Sequence, residues 1–392
     1  MQIEKEMEND MIWHLVWTIP TLICMISGWI VFARPQLIQK KTDQGRCVTI
    51  IIPARDEAHN LPNLLRSIDK QQGLTVEVIV ADDGSTDGTR DIAREFNAEV
   101  VAVPTGEWRG KSHACHHGSQ YAQYDTFIFM DADTVLSDET SLMRIIAQYR
   151  HQKNSGVLSV QPYHHTEKTY ETFSALFNIV TVLGMNIFSL FKERGHTDSV
   201  FGPFLMTNRN DYRLTGGHRN ARETIIEGMG IHQGYQDKGL PITLYMGYGV
   251  LHFRMYPEGL GSVVNGWKKH IAIGASNAQP WVMMMIMIWI GAGITLPIYI
   301  IATWFSSFGM IGLPLVLYLI YAIQFKWMCQ RLIRLPWLLA LFYPLYILFF
   351  FHVYGASFVR VHLFKKVEWK GREIDLKKNG RHFSDNRKDA ED

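Results

Sequence analysis

The feature that most constrains this chain is a run from Met11 to Ala33 with no charged residue. At about 1.5 Å per residue, a helix of that length crosses a ~30 Å hydrocarbon core. The acidic EKEMEND precedes it, and Arg34, Lys40 and Lys41 follow. A cleavable export signal has the opposite charge order, so the segment reads as a retained anchor. The positive-inside rule then places the N-terminus outside and the next domain in the cytosol. Three later apolar runs, Trp281–Phe305, Gly309–Phe325 and Leu335–Phe351, are each roughly long enough to span. The expectation is a multi-pass protein of the cell membrane with one N-terminal and about three C-terminal membrane helices. The divisions are 1–42 (anchor), 43–280 (cytoplasmic domain), 281–358 (helices) and 359–392 (basic tail). Lys326, Arg331 and Arg334 favour the cytosol for the loop between the last two runs, and Arg360, Lys365, Lys366, Lys370 and Arg372 favour it for the tail. Four spans from an outside N-terminus would leave the tail outside. The two readings conflict unless one segment is re-entrant or interfacial.

A net charge of +2 over 392 residues gives no case for nucleic acid as a partner. Cys24, Cys47, Cys115 and Cys329 lie far apart and form no CxxC pair, so isolated thiols are expected.

Between Cys47 and about Val160, β-branched runs alternate with stretches of helical spacing. Val48–Pro53, Glu77–Ala81, Glu99–Val103 and Thr126–Met130 read as strands. Ala58–Gln71, with Leu61, Leu64, Leu65 and Ile68 on one face, reads as a helix, as do Thr86–Asn97 and a stretch from about Lys111. Repeated strand–helix–strand units predict an α/β domain with a mostly parallel sheet flanked by helices. Ligands of such sheets bind beyond the carboxyl ends of the strands. Asp56 and Glu57 follow the first strand, Asp82 and Asp83 the second, and Asp131 and Asp133 the strand Thr126–Met130. Clustering of like charge is costly unless a cation sits among the carboxylates. Treated as strand positions i and i+2, Asp131 and Asp133 face the same way. Their hard oxygens suit Mg²⁺ or Mn²⁺.

Two other patterns read as structural. Asp83–Gly88 opens like a calcium loop, but Ser85 stands at its third position and Arg94 at its twelfth, where a glutamate is required. In His113-Ala-Cys115-His116-His117, His113 and His117 lie one helical turn apart, with no carboxylate or further thiol at metal-motif spacing. Tyr170–Phe191 is apolar enough to span, but a span there would put Asp131 and Asp133 across the bilayer from Glu227. A helix at the membrane surface, with Phe173, Leu176, Phe177, Val180 and Leu183 on its apolar side, or an ordinary core helix is expected.

Thr49–Glu57, Asp82–Asp87 and Asp131-Ala132-Asp133 resemble the successive signatures of family 2 glycosyltransferases with the GT-A fold. Gly110–Cys115, Leu158–Tyr163, Phe201-Gly202-Pro203, Ile225–Gly228, Phe253–Tyr256, Gly266–His270 and Val367–Arg372 are similar to the branch of that family that glycosylates carotenoid acids in staphyloxanthin-type pigments. The resemblance implies a metal-dependent, inverting transfer of a hexose, glucose from UDP-glucose, to an apolar carotenoid or lipid acceptor. It implies that Asp56 or Glu57, together with Asp83, holds the nucleoside with Asp82 beside them, that Asp131 contacts ribose and metal, and that Asp133 binds the metal. Lys111 then lies near the diphosphate, and Glu227 takes the position of the catalytic base. Glu227 is followed by Gly228 where many members have aspartate. Gly266–His270 replaces the QxxRW of processive relatives, which argues against polymer synthesis and makes Lys269 and His270 candidates to stabilise the leaving diphosphate. Phe201, Gly202, Pro203 and Trp267 are candidate acceptor contacts. A carotenoid acid, with a pKa near ~4, would arrive ionised and leave little work for a base. The alternative is a glycolipid glucosyltransferase acting on a hydroxyl.

Overall fold

The computed structural model describes residues 2–106, 108–192, 199–222, 227–274, 279–305, 311–364, 366–369 and 372–375. The side chains of 2–7, 269–274 and 357 onward lie outside that description. Ten strands build the central domain: β1 (Arg46–Ala54), β2 (Leu74–Asp82), β3 (Glu99–Ala102), β4 (Thr126–Met130), β5 (Thr134–Leu136), β6 (Val157–Gln161), β7 (Tyr163–His164), β8 (Phe204–Asn208), β9 (Ile242–Met246) and β10 (Leu251–Phe253). Seven form one sheet in the order β3-β2-β1-β4-β8-β6-β9. β8 alone runs antiparallel to its neighbours, and the other pairings are parallel. The predicted parallel sheet is therefore present, with one reversed strand inserted beside β4. Val48 to Ile52 are buried, as a central strand covered on both faces requires. β5, β10 and β7 pair into a small second sheet.

The register sets the site. Ala54 of β1 pairs with Asp82 of β2, and Ile51 pairs with Phe129 of β4, so all three strands finish at one edge. The first helix is Leu61–Asp69, shorter than its apolar pattern, because 57–60 form a turn held by the Glu57 carbonyl. The second, Thr89–Glu95, also starts late: the Asp87 carboxylate accepts hydrogen bonds from the Thr89 and Ala58 N–H groups.

Among the described residues, three helices are long and apolar enough to cross a membrane: Glu8–Val31 within the helix Gln2–Val31, Pro280–Phe305 and Gly312–Leu332. They pack around a buried amide. Gln324 donates to the Met25 carbonyl (2.9 Å) and accepts from the Trp289 indole (3.1 Å). Gly28 lets the first two helices approach, since a Cβ there would lie 2.4 Å from Trp289. The fourth expected span is broken. A short helix, Trp337–Ala340, ends in a turn before the helix Tyr343–Phe364. Pro344, with no N–H to donate, suits the first turn of a new helix and not the interior of a continuous one.

Tyr170–Phe191 does not span. It forms a 3-10 turn, Thr169–Ser174, and a helix of only ten residues, Ala175–Gly184. Leu176, Phe177, Ile179 and Leu183 are buried, Val180 is half-buried and Thr181 alone in the helix is exposed. It is a core helix, wedged among Pro280–Phe305, Gly312–Leu332 and Tyr343–Phe364. One apolar cluster consequently runs from Phe127 and Phe129 of the sheet through Phe177 to Trp289 and Tyr321.

Candidate active site

Beyond the ends of β1, β2 and β4 lies a cleft of about 750 Å³. Asp56, Glu57, Asp83, Lys111, Asp131 and Asp133 all line it, together with Arg55 and Arg109. Asp56 is held at φ +55° by its neighbours: its carboxylate accepts from the Thr86 N–H (2.7 Å), and its own N–H donates to Ser85 Oγ (3.0 Å). Glu57 donates its N–H to Thr89 Oγ1 and accepts from Asn60. Asp83 accepts from the Gly110 N–H (3.1 Å) and lies 3.8 Å from Arg55. Gly110 opens the helix Lys111–Gly118 at φ +92°, a conformation that favours glycine.

Asp82 is placed differently. It is fully buried, 2.5 Å from Arg90, and accepts from the Ser85 N–H. Burial pushes its carboxyl up, but the bonds from Ser85 and Arg90 outweigh this and hold it below the usual range. It is a brace under the loop and is absent from the cleft lining.

β4 ends at Met130, and residues 131–133 are a turn in which Thr134 donates to the Asp131 carbonyl. Strand alternation therefore does not orient the two aspartates, yet both reach the cleft. Asp133 is pushed up to about 7, first by burial and then by Asp131 and Glu57. Burial, opposed by Lys111 and reinforced by Glu227, also pushes Asp131 up. One ammonium does not neutralise this group. The crowded hard oxygens of Asp131 and Asp133 fit a divalent cation such as Mg²⁺ or Mn²⁺.

Lys111 sits at the centre, with its Nζ 2.7 Å from Asp131, 3.5 Å from Glu227 and 3.1 Å from the Gly202 carbonyl. Burial favours its neutral form, but Asp131 and Glu227 prevail and keep it an ammonium. Glu227 opens the helix Glu227–Asp237. Its other oxygen lies 3.2 Å from Nε2 of the buried His218, whose Nδ1 lies 2.9 Å from the Tyr212 hydroxyl. That hydroxyl accepts from the His218 N–H and is free to donate to Nδ1, which leaves the Nε2 proton for Glu227. Burial pushes Glu227 up, but Lys111 and His218 outweigh it and hold the carboxylate ionised. His218 has no sequence pattern around it beyond Gly216-Gly217. Both glycines have positive φ, and a Cβ on Gly217 would lie 2.3 Å from the Tyr212 ring.

The Glu227-Gly228 departure has a steric cause. A Cβ at Gly228 would lie 2.2 Å from the Val200 carbonyl oxygen, so no side chain fits. Phe201, Gly202 and Pro203 brace the site through their backbone. Phe201 exchanges two hydrogen bonds with Ser159, Gly202 accepts from Lys111, and Pro203 accepts from the Asp131 N–H. The Phe201 ring is buried. Trp267 is buried too, stacked on Phe177 at 4.9 Å with its indole N–H donated to Ser174. Lys269 and His270 lie on the helix Leu260–Gly274, with side chains outside the described residues. His113 stacks on Trp108 (4.7 Å) and His117 packs against Tyr121 (5.3 Å), aromatic contacts that fit a structural role. Cys115, His218 and Glu227 offer ligand atoms within 4.8 Å of one another. Burial, first among its causes, raises the Cys115 thiol well above its usual value, and Glu227 is already engaged by Lys111 and His218.

The architecture and the carboxylate-lined strand edge fit a GT-A glycosyltransferase. Residues 49–213 match the glycosyl transferase family 2 model, and the chain belongs to that family. It is 38% identical over 366 residues to 4,4'-diaponeurosporenoate glycosyltransferase of Staphylococcus aureus strain MRSA252, covering 92% of this chain and 97% of the relative. The same enzyme from strain USA300 is also 38% identical with the same coverage. Among solved structures, a mannosyltransferase from Pyrobaculum calidifontis in complex with GDP-Man and Mn²⁺ is 16% identical, covers 85% of this chain and 96% of its own, and has a TM-score of 0.46. Glucosyl-3-phosphoglycerate synthase from Mycobacterium tuberculosis with Mn²⁺ and UDP is 18% identical, with coverage of 60% and 80% and a TM-score of 0.40.

Proposed function

We propose that this enzyme transfers glucose from UDP-glucose to the carboxyl group of a C30 carotenoid acid, giving a glycosyl ester of the staphyloxanthin type. The relatives' substrate supports the reading, but the observation that carries it is the engagement of Glu227. Both oxygens of the residue in the base position are occupied, one 3.5 Å from Lys111 and the other 3.2 Å from His218, which lowers its affinity for a proton. A carboxylate held down in this way is a weak base. An alcohol acceptor needs a base, whereas a carboxylic acid with a pKa near ~4 arrives without its proton.

In the proposed reaction an acceptor carboxylate oxygen bonds to the anomeric carbon as the bond to the β-phosphate oxygen breaks. Configuration inverts, and the electron pair leaves with UDP. Asp56, Glu57 and Asp83 hold the nucleoside, and Asp131 holds ribose and metal. A divalent cation at Asp131 and Asp133 would supply charge stabilisation to the leaving diphosphate. Lys111 adds positive charge from the protein side, with Lys269 and His270 as further candidates. Glu227 orients the acceptor.

The three long helices also support a topology. From an outside N-terminus, three crossings place the catalytic domain, the Lys326–Arg334 end of the third helix and the basic tail together in the cytosol. With the helix Tyr343–Phe364 taken as re-entrant or interfacial, the conflict raised by four spans does not arise. Incubating membranes with UDP-glucose, Mn²⁺ and 4,4'-diaponeurosporenoate, followed by mass spectrometry, tests the activity. A hexosyl product cleaved by mild alkali is expected. An alkali-stable product formed only on hydroxyl acceptors would establish the glycolipid reading instead.

A further inference from the structure

Tyr256 combines three features that the reaction above does not use. Its φ is +60°, although it is a bulky residue and precedes Pro257, where extended backbone is strongly preferred. Its hydroxyl is buried, with no hydrogen-bond partner among the described residues. Its ring lies over Gly266, where an added Cβ would fall 2.1 Å from the ring and 2.6 Å from the hydroxyl. Both the strained backbone and the orphaned hydroxyl carry a cost, and the surroundings enforce them. Arg254 is held by Glu171 and Glu167, each at 2.6 Å. Tyr170 donates to the Pro257 carbonyl (2.5 Å), and Ser262 donates to the Tyr256 carbonyl (3.3 Å). A loop pinned this firmly in a strained shape holds one side chain where it is wanted.

The location narrows the role. Phe253 of β10 pairs with Thr134 of β5, which puts the loop 254–257 next to the turn that carries Asp131 and Asp133. On its other side the ring packs edge-on to Trp267 (6.2 Å) and against the apolar cluster shared with the long helices. The ring thus lies between that turn and the apolar cluster.

We propose that the Tyr256 hydroxyl donates a hydrogen bond to the acceptor's reacting carboxylate, and that Gly266 is the space that admits it. The proposal rests on the carboxylate-acceptor reading. Tyr256→Phe keeps the ring packing and removes only the donor. With 4,4'-diaponeurosporenoate, kcat/KM for the acceptor should fall ~10- to 100-fold, the cost of a hydrogen bond to a charged partner. Hydrolysis of UDP-glucose without acceptor, and Mn²⁺-dependent UDP affinity, should stay within about twofold. Gly266→Ala, which displaces the ring, should show the same split. Unchanged acceptor transfer in Tyr256→Phe, or transfer and hydrolysis falling together, would overturn the proposal. The corresponding carotenoid alcohol separates the two ideas. Wild-type enzyme glycosylating only the alcohol refutes the carboxylate reading and with it this role. An active acid acceptor that ignores Tyr256→Phe refutes the role alone.

Discussion

Glu227→Gln preserves shape and removes charge, and it separates the two possible jobs of this side chain. The substitution deletes an ion pair at 3.5 Å to Lys111 while leaving an amide oxygen for the His218 proton. Two unit charges at that distance interact by roughly 5 kcal/mol at an effective dielectric of 20. Lys111 is 32% exposed and has Asp131 at 2.7 Å as its other partner, so solvent and Asp131 take up most of that energy. A net loss of about 1–2 kcal/mol remains, or roughly 5- to 30-fold in rate. Loss of a general base costs about 10²- to 10⁴-fold. Single-turnover transfer measured with the carotenoid acid and with its alcohol compares these directly. The acid should lose roughly 5- to 30-fold, and the alcohol at least about 100-fold if it reacts at all. A loss of about four orders of magnitude with the acid, with fold and donor binding intact, would refute an orienting role.

Asp133, pushed up to about 7, holds its proton in the metal-free folded state between its ordinary value and that pH. Metal-free stability should therefore fall as pH rises through this window, and calorimetry should find Mn²⁺ affinity rising with pH and levelling off above about 7. Affinity independent of pH from about 5 to 8 would contradict the crowding at this turn. Gly228→Asp restores the residue many relatives carry, yet its side chain would meet the Val200 carbonyl at 2.2 Å. It should cost about 1–3 kcal/mol in thermal stability and reduce turnover, and a fully active, equally stable variant would refute the steric account. Gly28→Leu should lower the melting temperature in detergent by several degrees, because its side chain runs into Trp289.

Legibility in the sequence followed the range of the interaction. β1, β2, β3 and β4 lie where continuous apolar runs placed them, because a strand buried on both faces needs little context. The carboxylates at three strand ends were readable for the same reason: topology carries them to one edge. The bracing of Asp82 was not readable, because nothing local shows that Arg90, eight residues on, takes up its carboxylate. His218 and Tyr256 depend on contacts with Tyr212, Glu227 and Gly266, which are separated from them in sequence or hidden in loop dihedrals. Leu335–Phe351 had a span's composition, but hydropathy averaging does not register that Pro344 restarts the helix.

The apolar cluster that runs unbroken from Phe129 to Trp289 has a mechanical consequence. Among the described residues, the floor of the cleft and the long helices share one close-packed interior, so a shift of the helices is passed to the sheet as displacement and not absorbed between them.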